Sequence, residues 1–195
     1  MNPLTFLLTD CDTGCRIGGA CPLGLEAELR DDATQYFGTF PLSDSATKEF
    51  SLFHRFDRLG NDPERDVISF NNRILTPSDL IWVVVRERST RSPTSRSAFV
   101  GRSLAVGAEA PDRLTGDEVS DEPYSGSKLG GRCFVDRVQV RDEVLALEAA
   151  GFVHLLQIVD TGPNYVAEFP WDPGSLNVWA ANRVVPESYR FCIQQ

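Results

Sequence analysis

Three cysteines lie close together near the start of the chain, at a spacing short enough to suggest a zinc site. Cys11, Cys15 and Cys21 fall within eleven residues. Structural zinc requires four Cys or His ligands, usually in two closely spaced pairs. The other two cysteines, Cys133 and Cys192, are isolated in the sequence. We therefore predict no metal site and no cofactor, and we expect reduced, inert thiols.

The two histidines are the next candidates for chemistry, because nucleophilic catalysis needs a base beside the nucleophile. His54 lies in SLFHRF and His154 in FVHLLQIV. Both segments have the apolar character of core strands, so we expect both histidines to be half-buried in a sheet. The chain has no Gly-x-Ser-x-Gly motif, and nothing marks one carboxylate pair as a general acid and base. The sequence predicts a protein that is not an enzyme.

Two Gly-Gly pairs, Gly18–Gly19 and Gly130–Gly131, could bind phosphate in a glycine-rich turn. A phosphate-binding loop also needs Lys followed by Ser or Thr after the glycines. No Gly-Lys-Ser or Gly-Lys-Thr occurs in the chain. We predict instead that these glycines supply a positive φ or a close backbone approach at a bend.

Clusters of acidic residues are the remaining candidates for a binding site. The first-ranked cluster, in TGDEVSDEPYSGS, places four carboxylates beside a tyrosine: Asp117, Glu118, Asp121, Glu122 and Tyr124. The second, in GNDPERD, contains Asp62, Glu64 and Asp66. Such surfaces can imitate phosphates and occupy a basic cleft on another protein. Ordinary solvated loops would have the same composition.

The glycine pairs belong to two similar octapeptides, GCRIGGAC from Gly14 and GSKLGGRC from Gly126. Four positions are identical, and Arg16/Lys128 and Ile17/Leu129 are conservative pairs. The identical positions are Gly14/Gly126, Gly18/Gly130, Gly19/Gly131 and Cys21/Cys133. This similarity indicates an internal repeat, which a second match should support.

The second match lies at nearly the same spacing. The Asn-Arg dipeptides of NNRILTP and ANRVVP are 110 residues apart, and the Gly-Gly pairs are 112 residues apart. Because the order and the spacing agree, we predict a pseudo-twofold duplication within one compact domain. The repeats span about 1–88 and 108–195, and a basic Ser/Arg-rich connector spans about 89–107.

The elements that must position these residues are mostly strands. Eight segments are typical of strands. They are Leu4–Thr9, YFGTFPL, FSLFHRF, LIWVVVRE, FVHLLQIV, YVAEF, LNVWAA and YRFCIQ. Val140–Ala150 is the clearest helix, with Gly151 as its terminator. The sequence predicts a sheet-rich α+β fold.

The composition favours a globular protein with an acidic surface. Of 195 residues, 42% are hydrophobic, and the net charge is −9. Residues 86–102 carry a net charge of +4, whereas 1–85 and 103–195 carry −6 and −7. An acidic chain repels phosphates, so we predict no nucleic acid partner and favour a basic protein partner. No apolar run predicts a membrane span, and the N-terminal residues do not resemble a secretory signal, so we expect a cytoplasmic protein.

Three segments of the second half resemble the YwqG-like bacterial domain of unknown function. They are SGSKLGGRC, FVHLLQIVD and EFPWDPGSLNVWAA. The matching residues are Lys128, Leu129, Gly130, Gly131, Leu156, Gln157, Ile158, Asp160, Gly174 and Leu176. The match covers about 70 residues of the second half. The resemblance departs from the family pattern at Val159, which separates Ile158 from Asp160.

The resemblance implies a sheet-rich fold of two related halves with no established catalytic residues. Members of this family also resemble immunity proteins that neutralise toxins passed between bacteria, for example by type VI secretion. The leading hypothesis is therefore a cytoplasmic immunity protein that occludes a cognate toxin, such as a basic nuclease. The alternative is a small-molecule-binding or enzymatic domain with its site between the two halves.

Overall fold

The computed structural model describes residues 4–9, 15–42, 45–57, 61–88, 102–109, 127–131, 133, 138–159 and 174–194. Within these ranges the chain forms eleven strands and one α-helix. The strands of the first half are β1 (Leu4–Thr9), β2 (Arg16–Ile17), β3 (Gln35–Pro41), β4 (Lys48–His54), β5 (Ile74–Leu75) and β6 (Ile81–Glu87). Those that follow are β7 (Arg102–Glu109), β8 (Lys128–Leu129), β9 (Val153–Val159), β10 (Ser175–Ala180) and β11 (Tyr189–Gln194). The helix is α1 (Val138–Ala149), and short 3₁₀ helices span Glu26–Glu28, Val67–Phe70 and Pro186–Ser188.

The eleven strands form one antiparallel sheet in the order β5-β11-β10-β9-β8-β1-β7-β2-β3-β4-β6. β1 and β7 pair at its centre. β1 also pairs with β8, and β7 with β2. On one side the sheet continues through β2, β3, β4 and β6, and on the other through β8 to β11. β5 extends the second side by pairing with β11.

Each side of the sheet contains a one-residue β-bulge. Phe37 is the extra residue of β3 opposite β4, and Leu155 is the extra residue of β9 opposite β10. The carbonyl of each bulged residue accepts a hydrogen bond from a Gly-Gly turn. Gly18 N donates to Phe37 O at 2.7 Å, and Gly130 N donates to Leu155 O at 2.8 Å. The four turn glycines have φ between 63° and 75°, which confirms the predicted positive φ.

Replacing Gly130 with Ala should lower the free energy of unfolding by about 1–2 kcal/mol. The residue has φ +74°, yet an added Cβ would meet no heavy atom within 4 Å, so the cost comes from backbone strain alone. Urea unfolding measures the change. Asn tolerates this conformation better than Ala, so Gly130→Asn should recover part of the loss. An Ala variant as stable as the wild type would contradict the assignment.

The inner face of the sheet forms the main hydrophobic core, to which both sides contribute. The rings of Phe50 in β4 and Tyr189 in β11 lie 5.6 Å apart between centroids. β6 also contacts the Pro186–Ser188 helix, which directly precedes β11. Because these strands are near opposite ends of the strand order, the sheet must bend so that its ends approach each other.

Two segments pack against the outer face of the sheet. Val140 and Val144 of α1 pack with Trp179 of β10. On the other side, Leu25 packs with Trp82 of β6 in a separate cluster. Polar side chains on the outer face can therefore be buried beneath these segments instead of being solvated.

The sheet-rich α+β prediction is confirmed. β1 has the predicted bounds. α1 begins two residues before the predicted Val140 and is followed by Gly151 at φ +85°. The predicted YVAEF strand and most of the connector 89–107 lie outside the described residues. No helix in the described ranges has the length and apolar character needed to cross a lipid bilayer.

Candidate functional site

The structure describes one of the two predicted acidic clusters and not the other. Asp117, Glu118, Asp121, Glu122 and Tyr124 lie outside the described residues. Asp62, Glu64 and Asp66 lie between β4 and β5, in a segment that we call the acidic turn (residues 61–70). The structure therefore brings the second-ranked set together in one short turn.

Two carboxylates of the acidic turn stabilise the turn by accepting hydrogen bonds from its own residues. Asp62 Oδ2 accepts from Arg65 Nε at 2.6 Å, and Asp62 Oδ1 accepts from Glu64 N at 3.0 Å. The hydrogen bond from Arg65 is the main cause of the lowered pKa of Asp62. Asp66 Oδ1 accepts from Ile68 N at 3.0 Å and caps the following 3₁₀ helix. Glu64 is exposed, and no hydrogen bond to its carboxylate occurs within the described ranges.

The acidic turn also presents Ile68, an apolar side chain that the sequence analysis missed. Ile68 is 68% exposed, whereas the preceding Val67 is 3% exposed and belongs to the main core. Phe70 anchors the same 3₁₀ helix, because its ring lies 5.6 Å from that of Phe56. The signal was available in the sequence as an apolar VISF segment directly after the carboxylates.

A row of buried polar residues crosses the outer face on the second side of the sheet. Lys128, Gln157 and Asn177 lie opposite one another on β8, β9 and β10, and we call them the Lys128 row. All three are at most 1% exposed. Cys133 Sγ donates to Asn177 Oδ1 at 3.2 Å. His154 has Nδ1 3.3 Å from Gly130 O and Nε2 3.3 Å from Asn177 Oδ1.

Cys, His, Asn and Lys side chains together suggest nucleophilic chemistry, but their protonation states do not favour it. Burial, with the Lys128 charge second, lowers the pKa of His154 to about 4. Burial raises the pKa of Cys133 well above its usual value. A reactive cysteine requires a thiolate, usually stabilised by an imidazolium. At neutral pH the His154 imidazole is neutral and the Cys133 thiol is protonated, so both side chains contact the row as hydrogen-bonding groups.

A second polar row crosses the first side of the sheet at corresponding pairing positions. Arg16, Thr39 and Ser51 lie opposite one another on β2, β3 and β4, and we call them the Arg16 row. Tyr36 Oη is 2.6 Å from Thr39 Oγ1, which is 2.7 Å from Ser51 Oγ. The conservative pair Arg16/Lys128 was visible in the octapeptides, but its cross-strand neighbours were not.

The described cysteines are buried thiols. Cys15, Cys21, Cys133 and Cys192 are free and buried, and Cys11 lies outside the described residues. Burial raises the pKa of Cys15 and of Cys192 to about 12. Within the described ranges, no group of three or more His, Cys, Asp or Glu side chains could hold a metal ion.

Comparisons with protein-family models, with curated proteins and with solved structures find no match to this chain. The interpretation of its sites therefore rests on its own residues. The motif residues behind the YwqG-like resemblance that the structure describes lie in β8 and its turn, in β9 and around β10. Asp160 lies outside the described residues.

Proposed function

We propose that this chain is a cytoplasmic immunity protein that binds a basic toxin and covers the toxin's cationic active surface. The acidic turn is the observation that supports the proposal most directly. It presents the exposed carboxylate of Glu64 and, four residues later, the exposed side chain of Ile68. Carboxylates at such a surface accelerate association with a basic partner, and a desolvated apolar anchor slows dissociation.

The acidic turn is well ordered by its own contacts, which favours binding. Asp57 N donates to Arg65 O at 2.7 Å, and Asn72 N, two residues after the turn, donates to Ile193 O of β11 at 2.7 Å. Val67 is buried in the main core beneath it. A turn fixed in this way loses little conformational entropy when a partner binds.

We also propose that the two sides of the sheet arose by duplication. Three features shared by the two sides support this origin. They are the matching bulges at Phe37 and Leu155, the hydrogen bonds from Gly18 and Gly130, and the two polar rows. The Asn-Arg match supports it less. Ile74–Leu75 forms β5, whereas Val184 and Val185 precede a 3₁₀ helix and are 49% and 38% exposed.

One observation favours the alternative function, a small-molecule-binding or enzymatic domain. Small-molecule sites place a few polar groups in a mostly apolar lining, and the two buried rows supply polar groups of that kind. The described rows lie within each side of the sheet, whereas the alternative placed its site between the halves. Thermal stabilisation by a metabolite without any protein partner would favour this alternative.

The immunity proposal predicts a stable complex and rescue of growth when the chain is co-expressed with the product of the adjacent reading frame. The double variant Glu64→Lys/Ile68→Asp should weaken the complex by at least about thirtyfold, because it removes an apolar anchor and reverses a neighbouring charge. Pull-down, growth and association rate at low salt measure the effect.

Asp79→Lys is the matched control, because Asp79 is an exposed carboxylate with 75% side-chain accessibility outside the acidic turn. It should retain complex and rescue. A parallel variant that neutralises Asp117, Glu118, Asp121 and Glu122 tests the first-ranked set. If co-expression yields neither complex nor rescue, the immunity function is wrong. If both sets of variants bind normally, the contact surface lies elsewhere.

A further inference from the structure

The Arg16 row lies in a buried region with more hydrogen-bond donors than acceptors. Arg16 is 9% exposed, and its buried Nε has no hydrogen-bond partner in the part of the chain that the structure describes. The hydroxyls of Tyr36, Thr39 and Ser51 are joined by two hydrogen bonds. Three hydroxyl protons serve two bonds, so one proton is left for a further acceptor. A buried donor without an acceptor costs free energy.

The corresponding Lys128 row does not have this surplus. Lys128 and Gln157 both have interaction partners. Asn177 accepts from Cys133 and donates to Ser175 Oγ at 3.2 Å. None of the three residues has a buried polar side-chain atom without a partner within the described ranges. The Lys128 row therefore has no counterpart of the unpartnered Arg16 Nε, although Trp179 Nε1, on the same face of β10 as Asn177, is also buried without a partner among the described residues.

The surroundings of the Arg16 row are also positively charged. Glu49 is neutralised by Arg86, whose Nε lies 2.7 Å from Glu49 Oε1. Arg88 follows two residues later, on the same face of the extended chain. Burial raises the pKa of the Cys15 thiol; among the nearby charges, Arg88 and Arg16 lower it and Glu49 raises it. Arg88 is exposed, so the buried charge that an added anion would balance is the guanidinium of Arg16.

We propose that the Arg16 row binds a small oxyanion, a phosphate or carboxylate group, that accepts hydrogen bonds from Arg16 Nε and from the spare hydroxyl proton. Guanidinium and hydroxyl donors are a common combination for such groups, since one oxyanion offers several lone pairs and a compensating charge. Thr39, the middle residue of the hydroxyl chain, lies directly opposite Arg16 in the strand pairing. This inference does not depend on the immunity function.

Thermal unfolding of the full chain tests the site, with phosphate or acetate titrated against sodium chloride at matched ionic strength. The wild type should show a saturable rise in Tm with at least one of the two anions. Phosphate alone indicates a tetrahedral group, and acetate alone a planar carboxylate. Arg16→Gln should bind at least tenfold more weakly, and Ser51→Ala should show a smaller loss.

Arg73→Gln is the matched control, because it removes an exposed arginine from a site away from the row. It should keep the full response, including any general stabilisation by phosphate, which acts through the whole surface. Ser51→Ala keeps the test decisive if Arg16→Gln does not fold. A rise in Tm that is unsaturable, or equal in wild type and in the foldable row variants, overturns the proposal.

Discussion

Lowering the pH from 6.5 to 4.5 should remove about 5 kcal/mol from the free energy of unfolding, because two histidines are buried in uncharged form. Burial lowers the pKa of His54 to about 3. It lowers the pKa of His154 to about 4, with the Lys128 charge as a second cause. A loss of this size is comparable to the whole stability of many domains.

The direction follows from proton binding in the two states. Both folded pKa values lie below the unfolded value of 6.5, so between those values the unfolded chain binds more protons. The stability contribution is complete above pH 6.5 and is lost as the pH falls, at about 1.4 kcal/mol per pH unit for each histidine. The lowered pKa values of Asp31 and Asp62 act in the same direction at still lower pH.

Urea unfolding at a series of pH values measures the slope. The variants His54→Leu and His154→Gln should each remove about half of the pH dependence, whatever they do to stability at pH 7.5. NMR titration of the imidazoles in the folded state should show no protonation above pH 5. An imidazole that titrates near pH 6.5 in the folded chain would contradict the assignment for that histidine.

Replacing Glu49 with Ala should destabilise the chain by about 3 kcal/mol, because it leaves Arg86 without its carboxylate. The side chain of Glu49 is 3% exposed and that of Arg86 is 18% exposed. Arg86 Nη1 also donates to Leu23 O at 3.1 Å, so the pair connects β4, β6 and the segment that covers them. Denaturant unfolding measures the change.

Two controls separate a buried pair from an ordinary surface charge. Asp79→Ala removes a carboxylate that is 75% exposed and 3.9 Å from Arg55, and it should cost less than about 1 kcal/mol. Glu49→Ala/Arg86→Ala should be less destabilised than the sum of its single variants, since neither charge is then left alone. Additive single and double effects would show that the pair contributes no coupling.

Much of the secondary structure could be predicted because it depends on local patterns. The apolar runs LIWVVVRE and FVHLLQIV predict β6 and β9, and both strands are present. The Gly-Gly pairs predict positive φ, which the structure confirms. The histidines were correctly placed in strands, but they are 0% and 4% exposed rather than half-buried. His54 is buried against Phe37 and Phe56 of the main core, and His154 packs on Trp179 beneath α1, so both burials depend on distant parts of the chain.

The acidic turn illustrates what the sequence does not reveal about a binding site. The charges of Asp62, Glu64 and Asp66 are plain in the sequence, but their availability is not. Asp62 and Asp66 are used by the turn itself. Only the folded geometry distinguishes them from Glu64, because side-chain-to-backbone bonds depend on the conformation of the turn.

The sequence by itself determined the strand-rich character, the left-handed glycine turns and the acidic balance of this protein, since each depends on residue type and near neighbours. Only the tertiary structure decided that Arg16 faces Thr39 and Lys128 faces Gln157. Those pairings depend on strand register, which the residue pattern of a single strand does not specify. The bulges at Phe37 and Leu155 shift the register of the neighbouring β3–β4 and β9–β10 pairs by one residue. Burial beneath the two covers then sets the charge of the enclosed groups, because desolvation is a property of the whole fold.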